Sequence, residues 1–326
     1  MTSQRWIPWS FVALGGIAIA IPFLMDSMSF WMLAARICYY ILLVLSWNLI
    51  SGYAGSFSFG HVAFAALGAY ASAIATGDGG LPLAVGMVIG GLVAGVGGLL
   101  LGLLGQRITG PYLVVVSFAF LRVVQITIQA QSDITGGASG MVVVPLFGGS
   151  HAAEFTFLVG VALVLAYLGA QYAVMRSHWR HYLLALKDNE MAALAMGGRP
   201  RLWKSVVFAA SAAVAGVAGA FLGHSVGFIT PGIGSVGEMA IVVAIGMLGG
   251  LGTTAGPVVA TILVLLVDSN LRATTGAFST MLFGIVLLAV ILAMPGGISA
   301  VGSRLLARRR RSASSEDAWA DDGRMT

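Results

Sequence analysis

The sequence predicts an all-α, polytopic membrane protein with about ten transmembrane helices, a 5+5 inverted repeat and both termini in the cytoplasm. Three observations predict this. Hydrophobic residues make up 58% of the chain and charged residues 9%, where soluble domains carry about 25% charged residues. Mean hydropathy is +0.95. Apolar stretches near the roughly 20 residues needed to cross a bilayer recur along the chain, and Lys and Arg collect on one side of them.

The spans fall near residues 8–25, 32–50, 61–76, 83–105, 110–129, 154–174, 204–223, 236–249, 257–268 and 281–295. The first follows Arg5 and precedes Asp26. No small-residue cleavage site follows it, so it reads as an uncleaved anchor and not a signal peptide. Residues 1–303 form the transmembrane domain, interrupted by a charged loop at 176–204. Residues 304–326 are a basic and then acidic cytoplasmic tail, expected to be disordered.

Charge asymmetry supports this count. With the N-terminus inside, the cytoplasm receives Arg5, Arg107, six residues of the loop, four consecutive arginines from Arg308, and Arg304 and Arg324, together 14 of the 17 Lys and Arg. The opposite side receives Arg272, while Arg36 and Arg122 fall within spans. An even number of spans with both termini inside satisfies the positive-inside rule. The net charge of +5 therefore reflects topology and does not point to nucleic acid.

Halves of five spans each would have opposite orientation, the inverted plan common in transporters. A weak internal echo accompanies it. Residues 52–61 and 227–238 both open on Gly plus an aromatic, stay rich in Gly and Ser, and end on Gly plus an ionisable residue. The 45 glycines include pairs such as Gly86/Gly90, Gly98/Gly102 and Gly219/Gly223, whose spacing suits close helix contact in lipid. The single cysteine, Cys38, excludes an intramolecular disulfide and a thiolate zinc cluster.

Polar residues in or beside spans are the candidates for function. Backbone without helical hydrogen bonds must be buried in protein or line a wet cavity. On that ground Asn48, Gly52, Tyr53, Gly55, Ser58, Gly60 and His61 are candidates for a translocation path. The other reading, which spacing alone favours, is a cytoplasmic turn of small residues. Arg122 lies mid-span with Gln125 one turn later. An arginine there must face protein or water, so the pair is either part of the path or a contact with a partner chain. Arg36 can snorkel to its span end, and Glu238 and Asp268 read as solvated carboxylates near span ends.

Enzyme chemistry has no support. There is no phosphate-binding G-x-x-x-x-G-K-[ST] loop, and Lys187 and Lys204, the two lysines, sit in other contexts. No H-E-x-x-H or G-x-S-x-G occurs. His178 and His181 lie among arginines and suit an interfacial surface better than a metal, so no metal site is assigned. Buried acidic residues, the parts of an ion relay, are nearly absent. Energy then comes from an ion gradient or from another subunit; the scarcity of buried acids favours a partner, and the loop at 176–204 is where one would be held.

Five segments carry a family resemblance: WNLISGYAGSFSFGHVAFAALGAYASA from Trp47, TGPYLVVVSFAF from Thr109, TGGASGM from Thr135, LLALKDNEMAALAMG from Leu183 and LGGLGTTAGPVVA from Leu248. In that order they resemble the permease subunits of branched-chain amino acid ABC importers, M-type. The resemblance covers most of the chain, from about Leu45 to Ile298. It implies a bacterial inner-membrane permease working with a homologous second permease, two cytoplasmic ATPase subunits and a periplasmic or lipid-anchored substrate-binding protein, all embedded in or against membrane lipid. It implies no cofactor on this chain, ATP being used by the partners. It also implies that Leu183, Ala185, Lys187, Asp188, Asn189, Glu190, Ala193, Met196 and Gly197 form the ATPase-coupling loop.

The chain departs from the family at Arg122 and Gln125, where members often carry Glu and Arg. Related permeases serve urea, short amides or aromatic acids, so the same machinery with such a cargo is one alternative. An ion-coupled secondary transporter acting alone is another.

Overall fold

The structure is a computed structural model that describes residues 28–77, 79–108, 110–188, 194, 199–275, 278 and 281–285. The first predicted span, most of the tenth and the predicted tail lie outside the described residues. Nine helices carry the described fold: α1 Met28–Asn48, α2 His61–Thr76, α3 Leu83–Leu104, α4 Pro111–Ala130, α5 Ala152–Arg176, α6 Trp179–Asp188, α7 Pro200–Val226, α8 Val236–Gly249 and α9 Ala255–Thr275. All but α6 match predicted spans, with edges shifted by a few residues.

Six of these helices are long and apolar enough to cross a membrane, and α2 and α8 are shorter apolar helices. At 16 and 14 residues, they reach only about 24 and 21 Å. A hydrocarbon core is about 30 Å thick. Irregular backbone completes each one. A π-turn, Leu49–Tyr53, and an irregular stretch at 54–60 precede α2. A short strand, β2 Phe228–Ile229, and the 3-10 turn Pro231–Gly234 precede α8.

Glycine sets the packing of α2, α3 and α7. A side chain at Gly90 would run into the Gly68 carbonyl, one at Gly98 into Ala212, and one at Gly219 into the Ala65 carbonyl. The three helices therefore meet backbone to backbone, the contact that small residues permit where lipid gives little hydrophobic drive. Helix α1 is buried along nearly its whole length, and Trp47, Tyr39, Tyr40, Leu43 and Leu45 are among the largest fully buried side chains. It packs on α7, α5, α8 and α9.

The one departure from all-helical structure among the described residues is small. Strand β1, Met141–Val142, pairs antiparallel with β2 in the register Met141↔Ile229 and Val142↔Phe228. His224 locks the same loop, with Nδ1 2.7 Å from the Val144 carbonyl and Nε2 2.8 Å from Ser72 Oγ.

Asp268 differs from the solvated carboxylate that hydropathy predicts. It is 3% exposed. Arg272 Nε donates to both its oxygens at 2.9 Å, and Arg36 Nη1 lies 3.8 Å from Oδ2. Arg36 also stacks over Tyr40, 5.6 Å from the ring centroid. Tyr40 in turn donates to the Glu238 carboxylate. The physical reason is convergence: α1, α8 and α9 bring both signs of charge together, so Asp268 is neutralised by protein instead of water.

Candidate coupling site

Helix α6 is amphipathic for a simple reason. Trp179, Tyr182, Leu183 and Leu186 recur at i, i+3, i+4 and i+7, one face of a helix. Tyr182, Leu183 and Leu186 are buried, while His181, Leu184 and Lys187 are exposed. Aromatic contacts hold α6 to the start of α7, with Trp179 and Trp203 centroids 4.1 Å apart and Tyr182 and Trp203 6.1 Å apart.

Lys187 then lies across two glycine turns that are distant in sequence. A Cβ at Gly55 would sit 3.0 Å from Lys187 Cα, and one at Gly252 would sit 3.6 Å from Lys187 Nζ. Both glycines have positive φ, 69° and 75°, a conformation that costs other residues energy. The two turns are also joined to each other. Asn48 Nδ2 donates to the Thr253 carbonyl at 2.6 Å, and the Gly252 amide donates to Asn48 Oδ1 at 2.9 Å. Tyr53 Oη and Thr254 Oγ1 are 3.0 Å apart, and Gln171 Nε2 donates to Thr254 Oγ1 at 3.3 Å. A side chain at Gly52 would strike Asn48 and the Gly252 amide.

The next stretch climbs into the bundle. Trp47 Nε1 donates to the Ser58 carbonyl at 2.8 Å, and the Phe59 amide donates to Ser117 Oγ at 2.8 Å. A Cβ at Gly60 would lie 2.9 Å from the Ser117 carbonyl. His61 opens α2 fully buried, with Nε2 2.9 Å from Ser46 Oγ and 3.4 Å from Ser211 Oγ. Both hydroxyls can donate to backbone carbonyls, Ser46 to Leu43 and Ser211 to Ser46. Assigning hydrogens on that network makes Nε2 the donor. Nδ1 is then a buried acceptor, without a partner among the described residues.

The predicted residues thus divide into three groups. Asn48, Gly52, Tyr53, Gly55 and Lys187 meet in one cluster, with buried Leu183 and half-buried Ala185 on the same short helix. Ser58, Gly60 and His61 lie deeper. Arg122 and Gln125 are elsewhere, on α4, where Arg122 Nη1 donates to Gln125 Oε1 at 2.7 Å. Asp188 closes α6. Asn189, Glu190, Ala193, Met196 and Gly197 lie outside the described residues. Sequence reasoning missed Thr253 and Thr254 as partners of Asn48 and Tyr53. Their signal was the motif LGGLGTTAGPVVA, which has the same density of glycine as GYAG. Among the described residues no three metal-ligating side chains come together.

A bundle of long apolar helices with two broken ones defines a polytopic helical membrane protein. The chain belongs to the family described as branched-chain amino acid transport system / permease component, whose model matches residues 29–295. It is 31% identical over 314 residues to the high-affinity branched-chain amino acid transport system permease protein LivM of Escherichia coli (strain K12), covering 88% of this chain and 73% of that one. To LivM of Salmonella typhimurium (strain LT2) it is 30% identical, again covering 88% of this chain and 73% of that one. No solved structure matches the chain. Its relatives are transport subunits, not enzymes.

Proposed function

We propose that this chain is one of the two permease subunits of an ATP-driven importer in the bacterial inner membrane, moving branched-chain or related hydrophobic amino acids inward. It has ten transmembrane helices in two inverted halves of five, with both termini cytoplasmic. The two broken spans support that plan: α2 and α8 are the third spans of their respective halves, and irregular backbone completes each on its N-terminal side. A substrate-binding protein delivers the amino acid, a homologous permease shares the path, and two ATPases hydrolyse ATP. This chain binds no cofactor of its own.

The observation that carries the reading is the position of Lys187 over Gly55 and Gly252. The segment at 183–197 docks an ATPase, and movement of that ATPase shifts α6. Because α6 rests on both glycine turns, the shift reaches the α1–α2 and α8–α9 junctions together. Those junctions hold irregular backbone, which can rearrange without breaking a continuous helix. The segment at 52–61 then links the coupling helix to the path, with His61 at its inner end.

Uptake by the reconstituted complex, measured with a panel of labelled solutes, tests the reading. Leucine, isoleucine and valine should enter with ATP and not without it. Failure of all three while urea, a short amide or an aromatic acid enters would reassign the cargo. Uptake by this chain alone, driven by an ion gradient, would overturn the importer reading altogether.

A further inference from the structure

Helix α4 carries an exposed arginine at the middle of its length. Arg122 is the twelfth of 20 residues, about 17 Å along a helix about 30 Å long. Its own bundle lies behind it. Leu113, Ser117, Leu121, Val124 and Ile128 form the buried face of α4, and at 100° per residue Arg122 points away from all five. Val115, Val123 and Ile126 are exposed around it. Among the described residues its hydrogen-bond partner is Gln125, a neutral acceptor. Lipid is a poor neighbour for a guanidinium at this depth, so the face is covered by protein or by water.

The charge inventory of the whole chain narrows what covers it. Of the 12 carboxylates in the sequence, none of those among the described residues is free at mid-depth in a span. Glu154 sits in a first helical turn, and Glu238, which opens the shortened α8, already accepts from Tyr40 of this chain. Asp268 is buried and held by arginines of this chain. The predicted spans at 8–25 and 281–295 contain no Asp or Glu, and the remaining carboxylates lie at a span edge, in connections or in the tail. A second copy of this chain has no acidic group to set against Arg122.

We infer that the outward face of α4 around Arg122 is the docking surface for a different permease chain, one that presents a carboxylate at mid-depth in a transmembrane helix. The inference rests on the proposed two-permease assembly. The apolar ring of Val115, Val123 and Ile126 provides the packing. A guanidinium–carboxylate pair at its centre fixes the partner and the register, because removing either charge leaves the other without a counterpart in lipid.

The test uses the complete complex, with the two permeases carrying different tags. Arg122→Leu should lower co-purification of the second permease at least tenfold with normal membrane insertion, and Arg122→Lys should retain most of it. Arg122→Glu should fail, and replacing one mid-span carboxylate of the partner by Arg should restore assembly. In a Cys38→Ser background, Ile126→Cys should resist both aqueous and lipid-soluble maleimides in the complex and react with the lipid-soluble one when the partner is absent. Aqueous labelling in the complex would make the face a water path and overturn the inference. Lipid-phase labelling that ignores the partner would overturn it too, as would full assembly of Arg122→Leu. Two differently tagged copies of this chain assembling without any other permease would also overturn it. If the wild-type complex holds one permease molecule, the two-permease reading itself falls.

Discussion

Asn48 and Thr253 stand 205 residues apart in sequence and are joined by a 2.6 Å hydrogen bond from the Asn48 amide to the Thr253 carbonyl. The same side chain accepts from the Gly252 amide. One carboxamide thus ties the end of α1 to the α8–α9 turn, and Lys187 lies over the joint. Hydrogen bonds between neutral groups contribute about 1 kcal/mol each, and a buried partner left unpaired costs about 1–3 kcal/mol. Asn48→Ala should therefore destabilise the purified protein by roughly 2–3 kcal/mol, read as a lower melting temperature in detergent. Asn48→Asp loses the donor and sets a buried carboxylate against the Thr253 carbonyl, so its melting temperature should fall at least as far as that of Asn48→Ala. Equal stability of all three proteins would refute the tie.

Gly55 tests the contact from the other side. Its φ of 69° and its 3.0 Å approach to Lys187 Cα both oppose a Cβ. Gly55→Ala should cost about 1–2 kcal/mol for the left-handed conformation alone and push α6 off the turn. The expected phenotype is ATP hydrolysis that continues while uptake falls several-fold. Unchanged uptake per ATP hydrolysed would remove the turn from the coupling route.

Glu190 lies outside the described residues, just past the end of α6. Glu190→Lys should impair coupling to the ATPase and leave insertion largely intact. Wild-type uptake together with wild-type stimulated hydrolysis would show that Glu190 is not a docking contact.

The Asp268 cluster predicts an asymmetry. Asp268→Asn leaves Arg36 and Arg272 facing each other without their shared carboxylate. Both arginines are partly exposed, with side chains 35% and 48% accessible. Solvent screening therefore reduces the loss below that of a fully buried pair, to about 1–3 kcal/mol. Arg272→Gln should cost less, because Arg36 still neutralises Asp268. Melting temperatures of the two variants measure this, and the reverse order would contradict the shared role of Asp268.

Hydropathy made the spans legible, and eight of the predicted spans correspond to helices α1–α5 and α7–α9. An apolar run of bilayer length has few alternatives to a helix, because lipid offers its backbone no hydrogen bonds. Helix α6 falls inside the stretch that hydropathy marks only as a charged loop, and its i, i+3, i+4, i+7 spacing becomes meaningful once its buried face is seen. The candidate site was legible only as separate motifs. Nothing local in GYAG names Thr253 as its partner. Asp268 looked solvated because hydropathy counts one helix at a time and cannot see arginines arriving from α1 and from the next turn of α9.

By itself, then, the sequence determined the class, the spans that fall among the described residues, the likeness to a permease family and the types of residue available for function. Those follow from composition, periodicity and the distribution of charge, which are local properties of a chain in a bilayer. Only the tertiary structure decided that the turns around Gly55 and Gly252 form one joint under Lys187, that Asp268 is neutralised within the bundle, and that Arg122 faces away from it. Each of those depends on which helix faces meet. That choice is made by backbone contacts at glycines such as Gly68, Gly98 and Gly219, through close packing that no single segment encodes.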